Sequence, residues 1–182
     1  MLELGNQYLY VGHKPFPQYP DKFVNSTMRH GVVAKLYWEQ AGYRHVSLDV
    51  NGQDGALAYD LCLPFNLGEQ FDVITDFGTS EHVSDLYACL ENVWRHCKPG
   101  GLLMHANPKP GNWPGHGNWY RDEDFYRALV QVQPGTELVE VRAAPSLGNT
   151  TEGWLTYAVV RKNAAVPWMD RAAFAGLPVS SK

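Results

Sequence analysis

A chain of 182 residues is long enough for one domain with a proper core, and an aromatic content of 13% excludes disorder as a description of its body. The formal net charge of -4 and the lack of a basic stripe argue against nonspecific nucleic-acid binding. Three cysteines with no CxxC pair, no basic-then-apolar leader and no apolar run of bilayer length point to a reduced, cytoplasmic protein with no membrane partner.

Met1-Leu2-Glu3-Leu4-Gly5 reads as a short strand, and Gly5-Asn6-Gln7 as its exit turn, because Asn6 adopts a left-handed turn more cheaply than most residues. Stretch 8–26 carries Pro15, Pro17 and Pro20, which argue against a regular helix or a central strand. Its aromatics Tyr10, Phe16, Tyr19 and Phe23 either line a pocket or pin the loop to the body. The spacing of Met28, Val32 and Leu36, with Val33 and Tyr37 beside them, predicts a helix over 27–43 that ends at Gly42. Residues 44–49 then predict a strand ending in Asp49. In doubly wound nucleotide-binding sheets, an acid at the tip of the second strand accepts hydrogen bonds from ribose hydroxyls. The plainer alternative is that Asp49 only shapes the turn Asp49-Val50-Asn51-Gly52.

The stretch 71–107 organises the rest. Phe71-Asp72-Val73-Ile74-Thr75 has the profile of a buried parallel strand. Ser84 is a candidate cap for a helix whose apolar stripe is Leu86, Tyr87, Leu90, Val93, Trp94 and Cys97. Cys89 and Cys97 read as buried thiols. Lys98 suits the negative end of the helix dipole, Pro99-Gly100-Gly101 stops the helix, and residues 102–106 restart as a strand. A strand, helix and strand of this kind winds right-handed in one sheet.

Residues 107–120 predict no regular element. They leave the C-terminal end of a strand, where open α/β sheets hold ligands, which makes Asn107, Trp113, His116 and Trp119 candidate substrate contacts. His105 and His116 lack H-x-x-H or carboxylate spacing, so no metal site is predicted. A helix over 121–133 starts with Asp122, Glu123 and Asp124 and buries Phe125, Tyr126, Leu129 and Val130. Two alternating strands, 136–144 and 153–162, form an antiparallel pair. The Ala- and Pro-rich tail 163–182, with Trp168 and Phe174, docks on the body, meets a partner or stays loose. The expected organisation is one domain over 1–162, with an inserted Pro/aromatic loop at 8–26, followed by that tail.

The pieces FDVITDFGTSEHV, the helix, and KPGG leading into LLMHANP together resemble the second half of a class I S-adenosylmethionine-dependent methyltransferase. The resemblance implies an α/β, Rossmann-like doubly wound sheet, mostly parallel with an antiparallel last strand, in three α/β/α layers. It implies S-adenosyl-L-methionine as cofactor, held by Glu3, Gly5, Asn6, Asp49, Val50, Asp60, Leu61, Phe77, Gly78 and Thr79. Within that set Asp49 meets the ribose, Asp60 and Leu61 the adenine, and the Phe77-Gly78-Thr79 turn the methionine part. Asn107, Trp113 and Trp119 then face the acceptor, and His82 and His116 are the candidate bases. Glu3-Leu4-Gly5 resembles the start of the family's glycine-rich loop, but Gln7 and Leu9 stand where its second and third glycines are expected. The implied function is methyl transfer to a small-molecule or glycan-type acceptor. The alternative is a non-catalytic domain of the same fold that has lost the cofactor. A nicotinamide oxidoreductase is disfavoured, since a pyrophosphate needs the missing GxGxxG loop.

Overall fold

The computed structural model describes residues 1–10, 31–146 and 153–181. The expectations for Phe16, Tyr19, Phe23 and Met28, and for the side chain of Tyr10, lie outside what is described. In chain order the elements are β1 (Leu2–Leu4), β2 (Tyr8–Tyr10), β3 (Gly31–Val33), α1 (Ala34–Gln40), β4 (Val46–Leu48), β5 (Phe71–Phe77), α2 (Leu86–His96) and β6 (Cys97–Pro108). They continue with β7 (Trp119–Tyr120), α3 (Glu123–Val132), β8 (Thr136–Pro145), β9 (Trp154–Lys162), α4 (Arg171–Ala175) and β10 (Ser180–Ser181).

Six of these strands make one sheet in the order β4-β1-β5-β6-β9-β8. The β4, β1, β5 and β6 pairings are parallel, and β9 joins β6 and β8 antiparallel. This is the expected Rossmann-like, mostly parallel sheet with antiparallel last strands. The central strand β1 is buried along its length, as a doubly covered parallel strand requires. Helix α2 buries Leu86, Leu90, Val93 and Trp94, and α3 buries Phe125, Tyr126 and Leu129, all in one core with Leu2, Leu4, Leu48 and Ile74.

Several local expectations shift. The helix expected over 27–43 is strand β3 over its described start and helical only over Ala34–Gln40, because residues 31–33 pair with β2 instead. The loop rooted at β1 is thereby clamped at its base: β2 and β3 form a ladder, and Ala34 N donates to Gln7 O at 2.8 Å. Asp85, not Ser84, caps α2, accepting from Ala88 N at 3.0 Å; Ser84 Oγ lies 3.3 Å from Cys62 Sγ. Helix α2 ends at His96, before the expected stop at Pro99-Gly100-Gly101, and β6 takes in that turn; β6 runs on through Pro108, and β7 also falls within the stretch expected to be irregular. Of the alternatives for the tail, docking is what the fold adopts. Met169, Phe174 and Leu177 enter the core, and β10 pairs with β7.

One buried polar cluster ties the sheet to the segment before α3. Asp76, near the end of β5, accepts from Ser80 N at 2.9 Å, Ser80 Oγ at 2.5 Å, His105 Nδ1 at 2.9 Å and Arg121 Nη2 at 3.3 Å. Arg121 also donates to Ser80 Oγ and lies over the Phe125 and Tyr126 rings. Burial pushes the Asp76 carboxyl up. The His105 hydrogen bond and the Arg121 charge outweigh it and hold the group well below the usual carboxylate range. Burial lowers His105 and keeps it a neutral donor, with the Arg121 charge acting the same way.

Three expected outcomes rest on this packing. A Cβ on Gly101 would meet Cys97 Sγ at 2.8 Å and Lys98 O at 2.9 Å, so Gly101→Ala should cost about 1–3 kcal/mol by overpacking in denaturant unfolding. Arg121→Met leaves Asp76 a buried charge without its cation and should cost about 3–5 kcal/mol. Asp76 and His105 both have folded-state values below their unfolded ones, so the unfolded chain binds more protons as pH falls. Stability is therefore lost on acidification, beginning near the unfolded histidine value of about 6.5 and continuing below the unfolded aspartate value of about 3.9. Urea midpoints measured below the unfolded glutamate value of about 4.5, clear of the opposing titration of Glu81, check the sign; a wild-type midpoint that rises on further acidification there would contradict the assignment.

Candidate functional site

The tips of β1, β4 and β5 converge because the three strands are parallel neighbours that end on the same edge. Gly5 follows β1 with φ 74°, a left-handed conformation that favours glycine, and its N–H donates to Leu48 O at 2.7 Å. Asp49 follows β4. Its Oδ2 accepts from Asn6 N at 3.0 Å and its Oδ1 from Asn51 N at 3.0 Å, so the carboxylate is held by backbone while each oxygen keeps a second acceptor site. At the end of β5, Gly78 takes φ 79° and donates to Ala106 O at 3.0 Å, which swings Thr79 back over the β1 tip. Thr79 Oγ1 donates to Leu4 O at 2.8 Å.

These tips enclose a cleft of about 390 Å³. Gly5, Asp49, Val50, Asp60, Leu61, Thr79 and His82 all line it, which brings together six of the ten expected cofactor positions and one of the two candidate bases. Leu48, Tyr59, Cys62, Val83 and Ser84 complete the wall. Asp60 is exposed and its Oδ1 accepts from Cys62 N at 2.8 Å; Leu61 is buried beside it. No strand forms around Asp60; just upstream, Leu57 makes an isolated parallel bridge with Leu48.

Other singled-out positions stand apart. Glu3 is buried, 3.4 Å from His45 Nε2, and does not line the cleft. Asn6 donates its amide to Asp54 Oδ2 at 3.0 Å, away from the cleft. Phe77 lines a second cavity of about 560 Å³, whose wall includes Tyr8, Leu9, Met104 and Tyr157. Trp113 and Trp119 donate their indole N–H groups to Trp154 O and Val83 O, at 3.2 and 2.8 Å. Leu9, where a third glycine was expected, belongs to β2.

Gln7, where a second glycine was expected, folds its amide back over Gly5. Its Nε2 donates to Thr79 Oγ1 at 2.9 Å and to Leu4 O at 3.3 Å. A Cβ on Gly5 would lie 2.4 Å from Thr79 Oγ1 and 2.7 Å from Gln7 Nε2, so this corner is full. Gln7 does not line the cleft; it closes the space behind it.

At the mouth, Glu81, His82 and His116 meet. His82 Nε2 and His116 Nε2 each lie 3.8 Å from Glu81 Oε1, and the two imidazoles are 4.8 Å apart between centroids. Both histidines are half-exposed, and the Glu81 side chain is buried. Burial pushes the Glu81 carboxyl up to about 6, and the Asp76 charge adds to the rise. Asn107 is buried rather than open to a substrate: its Nδ2 donates to Glu81 Oε2 at 3.1 Å, and Tyr126 OH donates to its Oδ1 at 3.0 Å. The loop that carries His116 is locked down by Asn118 N and Trp119 N, which donate to Glu81 O at 2.7 and 3.1 Å. Sequence reasoning overlooked Glu81 and Arg121. Glu81 was within reach, since it adjoins His82 in Glu81-His82-Val83; Arg121 carried no local signal.

Comparison with known proteins agrees with this geometry. A family model described as "Methyltransferase domain" matches residues 31–105. No curated protein matches the chain. Among solved structures, the chain is similar to the N-methyltransferase NodS from Bradyrhizobium japonicum WM9 in complex with S-adenosylhomocysteine. The identity there is 15%, over 90% of this chain and 77% of that one, with a TM-score of 0.56. It is also similar to the Burkholderia thailandensis 1,6-didemethyltoxoflavin-N1-methyltransferase, solved with 1,6-didemethyltoxoflavin and S-adenosylhomocysteine. That match has 15% identity over 71% of this chain and 66% of that one, with a TM-score of 0.54. TehB from Haemophilus influenzae gives 13% identity and a TM-score of 0.51, over 70% of this chain and 53% of TehB. At these identities the structural likeness speaks for the fold alone. Residues 31–105 match the methyltransferase-domain model, and the chain has the fold that these methyltransferase structures share.

Proposed function

We propose that this protein transfers a methyl group from S-adenosyl-L-methionine to a small-molecule acceptor. The observation that carries the reading is the cleft itself: Gly5, Asp49, Asp60, Leu61 and Thr79, from separate turns, share one wall. These residues suit an adenosyl group. Asp49 keeps free acceptor sites for two ribose hydroxyls, Leu61 and Val50 offer apolar surface to a purine, and Asp60 stands ready to accept from an exocyclic amine.

Bound there, the cofactor supplies a methyl group already activated on a sulfonium. The chain's work is then alignment and exclusion of water. Asp49 fixes the ribose because its own orientation is set by Asn6 N and Asn51 N. Thr79 and Gln7 hold the β1 and β5 tips together at the far corner, where the family's glycines would leave room. An acceptor enters past His82, which lines the cleft and also belongs to the trio at its mouth. One structural relative was solved with 1,6-didemethyltoxoflavin, a small molecule, bound beside S-adenosylhomocysteine, which favours that class over a glycan.

The competing reading is a domain of the same fold that has lost the cofactor, and the filled corner over Gly5 is the observation in its favour. Calorimetry separates the two. S-adenosylmethionine and S-adenosylhomocysteine should both bind with a 1:1 stoichiometry, and no heat from either at millimolar concentration would sink the enzyme reading. Asp49→Asn keeps the side chain's shape but removes its charge. It should weaken S-adenosylhomocysteine by roughly 10–100-fold, the range of one or two charge-assisted hydrogen bonds of about 1.5–3 kcal/mol. An unchanged affinity would take Asp49 out of the site.

A further inference from the structure

We infer that Glu81, His82 and His116 form a binding site for a divalent transition-metal ion of the Zn²⁺ class. The three donor atoms all lie within 4.8 Å of one another, with each Nε2 3.8 Å from Glu81 Oε1. Donors bound to one ion through bonds of about 2.0–2.2 Å stand about 3–3.5 Å apart. Small rotations of two half-exposed imidazoles close that difference. Among the described residues neither imidazole has a hydrogen-bond partner for its ring nitrogens, so both lone pairs are available.

The surroundings are built as a metal site requires. The carboxylate is held from behind: Asn107 Nδ2 donates to Oε2, Tyr126 OH fixes Asn107, and Oε1 is left facing the imidazoles. Outer contacts of this kind orient ligands and sharpen affinity. The two chain segments are locked together by Asn118 N and Trp119 N on Glu81 O, and by Asn118 Nδ2 on His82 O at 2.9 Å. Gly117 is needed for that approach, because a Cβ there would meet Glu81 O at 2.9 Å and Glu81 Cγ at 3.0 Å.

Charge points the same way. Arg121 is committed to Asp76 and Ser80, so an ionised Glu81 adds a second buried negative charge with no cation of its own in contact. A bound dication removes that imbalance. Two histidines and one carboxylate leave at least one coordination position open, the pattern of a catalytic rather than a structural ion. His82 also lines the cleft, so the open position borders the cleft.

A consequence follows for the acceptor, and it alone rests on the methyltransferase reading. An acceptor hydroxyl on the ion would lose its proton more readily. The imidazoles then serve as ligands rather than as the bases suggested by sequence, because a coordinated nitrogen has no free pair to take a proton. Metal binding itself is tested without cofactor, so its failure is separate from failure of the methyltransferase reading.

The experiment is calorimetry of untagged, chelator-stripped protein with ZnCl₂, followed by visible absorption of the Co²⁺-loaded form. One equivalent should bind, and Co²⁺ should give the d–d bands of a low-coordinate site. His82→Ala and His116→Ala, both at half-exposed positions, should each weaken Zn²⁺ by at least about tenfold. Their melting temperatures without metal should match the wild type. Asn107→Ala should weaken binding by about 10–100-fold as an outer contact. No saturable binding at millimolar Zn²⁺ overturns the site. So does binding that survives either histidine substitution unchanged, since all three ligands are required.

Discussion

The buried ion pair between Asp76 and Arg121 is the constraint on which the site depends. Both side chains are fully enclosed, and each buried ion costs several kcal/mol of desolvation unless its partners are well placed. Asp76 meets that cost with four donors drawn from three segments: Ser80 through backbone and hydroxyl, His105 from β6, and Arg121 from the stretch before α3. Satisfying one carboxylate therefore fixes the turn after β5, the end of β6 and the entry to α3 against one another. Glu81 is the next residue along from Ser80, so its position is a by-product of the same network.

The other side of the cleft is solved differently. A glycine-rich loop gains close approach by having no side chains. Here Gln7 fills the equivalent space and uses its amide to join Leu4 O to Thr79. The long excursion that begins after Gln7 is tolerable because its two ends are stitched together by β2, β3 and the Ala34–Gln7 hydrogen bond. Loop-closure entropy rises only slowly with length, so an insertion closed at its root disturbs the sheet little. The result keeps the Asp49 end of the cleft open, with its carboxylate steered by backbone donors, and fills the opposite corner.

Between these two halves, the mouth of the cleft is set by the loop after β6. Asn118 and Trp119 reach back to Glu81, His82 and Val83, and that contact carries His116 to the carboxylate. The cleft and the Glu81, His82 and His116 cluster thus share an edge of the fold but draw on different contacts: strand tips for one, a docked loop for the other.

The sequence by itself determined the layered sheet, because burial is written into local periodicity. The β-branched run at 71–75 and the stripe from Leu86 to Trp94 each answer to neighbours a few residues away. It also placed Gly5, Asp49 and Gly78 at strand tips on one edge, since parallel strands must end on the same side. Tertiary structure decided the rest. Residues 31–33 became a strand because β2 was there to pair with, and the tail took its place in the core through Phe174 and Leu177. Asn107 turned inward to hold Glu81, and Glu81 came to face two histidines far from each other in the chain. None of these has a local signature, because each is chosen by which distant donor or apolar surface the finished fold brings within a few ångströms.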